Sequence, residues 1–225
     1  MGDIAQNLAR IKEAISVAAV KSGRKISDIE LIGVTKTIDV DRIGLLMSAG
    51  VTSLGENRVQ DFLPKYEALK ASAPNWHFIG HLQRNKVKFI IDKVAMIHSV
   101  DSLGLAQEID KRAGQAGRIM DILIEINIAG EDSKHGLNPT EALPLIIKLK
   151  ELENIRVKGL MSMAPFVENP EENRRYFEKM RNLFLDINSN HNHNLTELSM
   201  GMSGDYTVAI EEGATMVRIG TALVG

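Results

Sequence analysis

A lysine, an arginine and a serine–glycine segment carry the chemistry in this sequence. Lys36 follows LIGVT at residues 31–35, a short apolar and partly β-branched run that predicts a buried strand. On the strand face of Ile32 and Val34, its amine would stand at the C-terminal tip and point inward. An ammonium held there loses hydration, which favours the free amine. A free amine can condense with an aldehyde to a Schiff base. Most lysines are solvated, so Lys36 needs support from the rest of the chain.

That support comes from two segments near the C-terminus. Ser199-Met200-Gly201-Met202-Ser203-Gly204 follows a predicted strand and opens a helix. Small residues and glycines let backbone N–H groups turn toward an anion, and a helix N-terminus adds partial positive charge. Arg218-Ile219-Gly220-Thr221 ends the next strand. Loops after the last two strands of a barrel are its usual phosphate site. Arg218 alternates with Val217 and Ile219, so it faces the interior if they face the helices. A guanidinium there needs an acceptor: a protein carboxylate, a ring nitrogen or an anion of a bound cofactor. Further strand ends are Glu56-Asn57, Gly80-His81, Ser99, Asn127 and residues 161–163.

The elements that must position these residues alternate. Strands are predicted at 31–35, 51–54, 76–79, 95–99, 121–128, 157–161, 196–199 and 216–219. Helices are predicted at 3–22, 40–49, 58–71, 84–91, 103–116, 139–152, 171–189 and 205–212, with polar connections at 130–138 and 190–194. Asp101-Ser102 reads as an N-cap, and Pro139 suits a first helical turn. Eight strand–helix units with no linker imply an α/β fold, one domain over residues 1–225, closed as a (β/α)8 TIM barrel. The extra N-terminal helix would cap the barrel bottom. An open doubly wound sheet would carry a glycine fingerprint after its first strand, and Val34-Thr35-Lys36-Thr37 is none.

Composition narrows the partners. The 225 residues are 44% hydrophobic and 25% charged, with net charge −2, so no basic field points to nucleic acid or a membrane surface. Cysteine is absent, and the amphipathic N-terminus does not read as a secretory signal; both suit the cytoplasm. No metal site is expected. His77 and His81 have ligand spacing only on a helix, and His191 and His193 lie in an Asn-rich turn. Arg84, Lys86 and Lys88 read as a solvated helix face.

The segments LIGVTKT, SLGENRVQD, WHFIGHLQRNK, HSVDSL, INI…EDSKHG, GLMSMAP, LSMGMSGDYTVAI and GATMVRIGTALVG occur in that order. Together they resemble the YggS/PROSC-type pyridoxal phosphate homeostasis protein family, a single-domain barrel related to the N-terminal domain of alanine racemase. The resemblance implies that Lys36 holds pyridoxal 5′-phosphate as a Schiff base. It implies that Arg218 faces the pyridine nitrogen, and that Gly220 and Thr221 bind the phosphate. Ser199, Met200, Gly201 and Ser203 form its other wall, Asn57 lies near the ring, and Lys134 stands near the pocket mouth. Ile38 replaces a second lysine found in many relatives, and His81 replaces a proline found in some.

An arginine opposite the pyridine nitrogen leaves the ring a weak electron sink. Racemisation also needs a second base on the opposite face. Tyr66, Tyr176 and Tyr206 fall in predicted helices or at a helix start, and the sequence ends four residues after Thr221. The expectation is therefore a monomeric carrier of pyridoxal phosphate that serves vitamin B6 homeostasis and hands the cofactor to apo-enzymes. A pyridoxal-phosphate amino-acid racemase and a class I aldolase are the enzyme alternatives.

Overall fold

The computed structural model describes residues 4–131, 134–191 and 193–225. Asp3, two positions of the polar loop at 130–138 and Asn192 of the polar turn at 190–194 lie outside them. Eight strands, β1 (Glu30–Val34), β2 (Ser53–Glu56), β3 (Asn75–Phe78), β4 (Met96–Val100), β5 (Met120–Ile126), β6 (Ile155–Ser162), β7 (Glu197–Met202) and β8 (Met216–Ile219), close into a parallel barrel. Each pairs with the next, and β8 pairs with β1 through Ile32↔Arg218. The helices are α1 (Ile4–Lys21), α2 (Val40–Ser48), α3 (Val59–Leu69), α4 (Leu103–Gln115), α5 (Pro139–Leu149), α6 (Arg174–His191), α7 (Tyr206–Glu211) and α8 (Thr221–Val224). None among the described residues is long and apolar enough to cross a membrane.

Local chemistry sets the helix starts. Ser102 accepts the Leu105 N–H at 3.4 Å, and Asn138 with Glu141 forms a reciprocal cap around Pro139. Three elements depart from the sequence pattern. Residues 84–91 are not an α-helix but a 3-10 segment, Arg84–Phe89. β2 starts later than expected and contains Gly55, whose Cβ would come within 2.9 Å of Ile79 and 3.0 Å of Ile32; the missing side chain makes room for theirs. β7 runs on to Met202 through a register shift after Ser199.

The N-terminal helix does not simply cap the barrel bottom. α8 is a single turn, too short to cover β8 and β1, and α1 packs against α7, α8 and α2 in the place of a full eighth helix. Asn7 Nδ2 donates to the Leu223 carbonyl at 3.0 Å, tying the first helix to the last.

Strand alternation divides the side chains. Leu54, Trp76, Phe78, Ile97, Ile124, Leu160, Leu198, Val217 and Ile219 face the helices in the main core. Inside the barrel the buried apolar cluster is small: Ile32, Met96, Leu123, Met161 and Met216. The usual barrel interior is filled with branched apolar side chains. Here much of it is polar, with His77, His98, Glu125, Ser199 and Arg218 all buried.

Candidate functional site

Lys36 lies two residues beyond β1, on a turn closed by the Ile38 N–H donating to the Thr35 carbonyl at 3.2 Å. The inward side is as expected, because Ile32 belongs to the inner cluster and Val34 lines the upper cavity. Burial is not: the Lys36 side chain is exposed and reaches the cavity from its rim. A clamp on the outer side fixes the residue before it. Thr35 Oγ1 donates to Glu56 Oε1 at 2.7 Å, and Lys65 Nζ donates to both the Thr35 carbonyl and Glu56 Oε1 at 2.6 Å. Glu56 is fully buried, so this ion pair loses a partner only at high cost.

The opposite wall comes from the turns after β7 and β8. Ser203 Oγ accepts the N–H groups of Gly220 at 3.1 Å and Ala222 at 3.3 Å. A hydroxyl that accepts twice keeps its own hydrogen to donate. Asp205 Oδ1 accepts the Met202 N–H at 2.7 Å, and Asp205 Oδ2 accepts from Asn173 Nδ2 at 2.8 Å, which braces the turn. Gly201 has φ +90°, and a Cβ there would lie 2.5 Å from the Ala209 methyl, so both conformation and space demand glycine. α7 and α8 have six and four residues. Any pull on an anion here would come from individual N–H and O–H donors rather than from a long helix dipole.

Arg218 is buried and points inward from β8. Its Nη1 donates to Ser199 Oγ at 2.6 Å and its Nη2 to the Ser162 carbonyl at 2.8 Å. Burial lowers its pKa to about 10, against the opposing charges of Glu125 and Asp205. Two neutral acceptors leave several of the five guanidinium hydrogens for an acceptor in the cavity. Glu125 sits in the same interior. Burial, reinforced by Asp101 and opposed by Arg218, raises its pKa to about 7. Its Oε2 makes no hydrogen bond.

Lys36 and Arg218 meet in a cavity of about 260 Å³, lined also by Val34, Ser203, Gly204, Gly220 and Thr221; Glu125 does not line it. That volume is close to the lower end of small-molecule sites. The connection after β6 adds Pro165, Phe166 and Val167, with Phe166 95% exposed at the rim; nothing in the spacing of that segment marks it.

Of the other expected site residues, Ser199 is buried beneath the cavity as a ligand of Arg218. The Met200 side chain departs from expectation. It lies in the main core against the helices, because strand alternation turns it away from its neighbour Ser199. Asn57 follows β2 with its Oδ1 buried and unbonded, and it does not line the cavity. Lys134 donates to Glu131 at 2.8 Å in the loop after β5, where Asn127 Oδ1 accepts the N–H groups of Gly130 and Glu131. Ile38 is buried in the core.

His81, Asp101 and His135 also converge, with ligand atoms within 4.8 Å of one another. The two rings stack at 3.9 Å and 14°. A metal must lie in the plane of each imidazole that binds it, and one ion cannot lie in two parallel planes. The arrangement is a stacked pair, not a formed coordination sphere.

The sequence profile of the family described as alanine racemase, N-terminal domain, matches residues 3–225. The chain is 47% identical over 220 residues to the pyridoxal phosphate homeostasis protein of Aquifex aeolicus strain VF5, covering 98% of this chain and 96% of that one. It resembles the solved structure of PipY from Synechococcus elongatus PCC7942 with PLP bound, at TM-score 0.87 and 32% identity over 99% of this chain and all of that one (100%). An alanine racemase from Clostridium difficile 630 shares the fold at TM-score 0.76 and 20% identity, covering 99% of this chain and 56% of the racemase.

Proposed function

This chain belongs to the pyridoxal phosphate homeostasis proteins of the alanine racemase N-terminal domain family, and on that premise we propose that it binds pyridoxal 5′-phosphate as a Schiff base on Lys36. In this reading it stores and delivers the cofactor, as a cytoplasmic monomer acting on apo-enzymes, and does not turn over a substrate. One observation carries the proposal: Lys36, Arg218 and the Ser203–Gly220–Thr221 wall line the same cavity.

The residues fit the group. Bound cofactor supplies an aldehyde that condenses with an amine, and Lys36 is the amine at the cavity rim. The unused donors of Arg218 suit an acceptor on the pyridine ring. The Ser203 hydroxyl and the turn at Gly220 and Thr221 suit the phosphate. The test is to titrate the purified protein with pyridoxal 5′-phosphate and follow the visible spectrum. A saturable yellow band is expected, and an unchanged spectrum would overturn the proposal. It would also separate this reading from an aldolase, which carries no chromophore.

Arg218→Gln is expected to weaken retention by roughly 10- to 100-fold. A hydrogen bond to a charged group is worth about 1.5–3 kcal/mol, and each ~1.4 kcal/mol is tenfold. Equal affinities of variant and wild type, in equilibrium dialysis, would mean that Arg218 does not face the ring.

The same cavity argues against racemisation. Among its lining residues Lys36 and Asp205 are the candidate bases, and each Asp205 oxygen already accepts a hydrogen bond. Tyr66 lies on α3, Tyr176 on α6 and Tyr206 at the start of α7, and none of them lines the cavity. Among the described residues that line the cavity, proton removal from one face thus finds no free second base for the other. With L-alanine and cofactor-loaded protein, D-isomer should form far below the typical enzyme rate of about 10 per second. Chiral chromatography decides it: rapid D-alanine formation that disappears in Lys36→Ala would promote the racemase.

A further inference from the structure

A run of polar side chains crosses the barrel interior from its lower end to Arg218. Glu30 opens β1, accepts the Ser53 hydroxyl at 2.5 Å and lies 3.5 Å from His77 Nε2. His77 Nδ1 is 2.9 Å from His98 Nε2, and His98 Nδ1 is 3.1 Å from Ser199 Oγ. Ser199 Oγ in turn accepts from Arg218 Nη1 at 2.6 Å. His77, His98, Ser199 and Arg218 are all buried, and Glu30 is the member that reaches the lower opening of the barrel.

The hydrogens on this line can be counted. Arg218 only donates, so Ser199 accepts from it. The Ser199 hydroxyl hydrogen then has His98 Nδ1 as its acceptor. His98 therefore carries its hydrogen on Nε2 and donates it to His77 Nδ1. His77 carries its own on Nε2, toward the Glu30 carboxylate. Every bond from Arg218 to His77 runs the same way, and the last hydrogen lies on the nitrogen 3.5 Å from Glu30. The reverse assignment, with His98 donating to Ser199, would leave a buried hydroxyl hydrogen without an acceptor, which is costly. The electrostatics of the two ends run the same way. Burial, assisted by the Arg218 charge, holds His98 well below the ordinary histidine range, which suits a ring that accepts at Nδ1. Burial works to raise the Glu30 carboxyl, but His77 and Ser53 outweigh it and keep it ionised.

We propose that His77, His98 and Ser199 are positioning residues, a one-way hydrogen-bond line that fixes the Arg218 guanidinium from a carboxylate at the opposite end of the barrel. The edge that Arg218 offers the cavity is then set by a residue that never meets the ligand. Aligned hydrogen bonds polarise one another in a low-dielectric interior, so a change of acceptor at Arg218 is felt along the line. This deepens the proposed function and rests on it for the ligand, but the line itself belongs to the ligand-free protein.

The experiment is long-range ¹H–¹⁵N NMR of the histidine rings in the full chain, with His77→Gln and His98→Gln to assign the signals. Without ligand, both rings are expected to be neutral with the hydrogen on Nε2. A hydrogen on His98 Nδ1, or a doubly protonated His77, would overturn the line. Adding pyridoxal 5′-phosphate is expected to shift the His77 ring nitrogens, although His77 does not line the cavity. Ser199→Ala should abolish that response and weaken retention by about tenfold, the loss of one charge-assisted bond. Ser199→Thr, which keeps the hydroxyl, should restore both. An undiminished His77 response in Ser199→Ala would also overturn the line. A wild type that takes up no pyridoxal phosphate would remove the proposed function instead, because the ligand-free tautomers are read without it.

Discussion

Lys36→Ala is expected to abolish covalent retention of pyridoxal phosphate while leaving the fold intact. The side chain is exposed on a turn, and exposed substitutions of this kind change stability by no more than about 0.5 kcal/mol. The backbone around it is held from the other side by Thr35, Glu56 and Lys65, none of which the substitution touches. Two other lysines are poor substitutes: Lys65 is committed to Glu56, and Lys134 to Glu131. After loading and borohydride reduction, the wild-type mass should rise by one reduced cofactor, and peptide mapping should place it on Lys36. The variant mass should not change, and its melting temperature should match the wild type. Equal labelling of the two proteins would move the Schiff base to another lysine.

The second large effect is a pH dependence of stability that belongs to Glu125. Its pKa rises from 4.5 to about 7 in the fold, chiefly through burial. A carboxyl that holds its proton more tightly when folded contributes stability that is complete below 4.5 and lost as pH climbs through about 7. At ~1.4 kcal/mol per pKa unit the loss is about 3 kcal/mol. Glu125→Gln keeps the shape and cannot ionise. Urea unfolding of ligand-free protein at pH 4.5 and pH 8 should therefore show the wild type losing about 3 kcal/mol more than the variant does over that interval. Parallel profiles would mean that the carboxyl ionises freely in the folded protein.

The barrel was legible because its strands alternate with helices and because β-branched runs are short. Arg218 was legible for a local reason: two apolar neighbours, Val217 and Ile219, fix which way it faces. Strand alternation gives the side that Lys36 faces, but not its exposure, because the strand ends at Val34 and a turn lifts the amine to the rim. Met200 shares a small-residue segment with Ser199 and Gly201, but alternation from Ser199 turns its side chain outward into the main core. The interior polar residues were the largest omission. A glutamate within ILIEINI and a histidine within MIHSV each carried a signal, a charged or titratable group at an inward position of a buried strand. What no spacing reveals is that β3, β4, β7 and β8 bring His77, His98, Ser199 and Arg218 into hydrogen-bond reach across the barrel. That juxtaposition is created by closure.

The position of α1 has a kinetic consequence. Its main partners α7 and α8 lie far along the sequence, and the bond from Asn7 to Leu223 spans 216 positions. The apolar stripe of α1, Ile4, Leu8, Ile11 and Ile15, thus reaches its full set of partners only after about two hundred further residues are in place. Contacts this distant are slow to form, because loop closure must be paid before they reward it. β8, which closes the ring against β1, also carries Arg218, and Gly220 and Thr221 follow it. Closure of the barrel and completion of the cavity are therefore one event: until β8 pairs with β1, Lys36 has no wall opposite it.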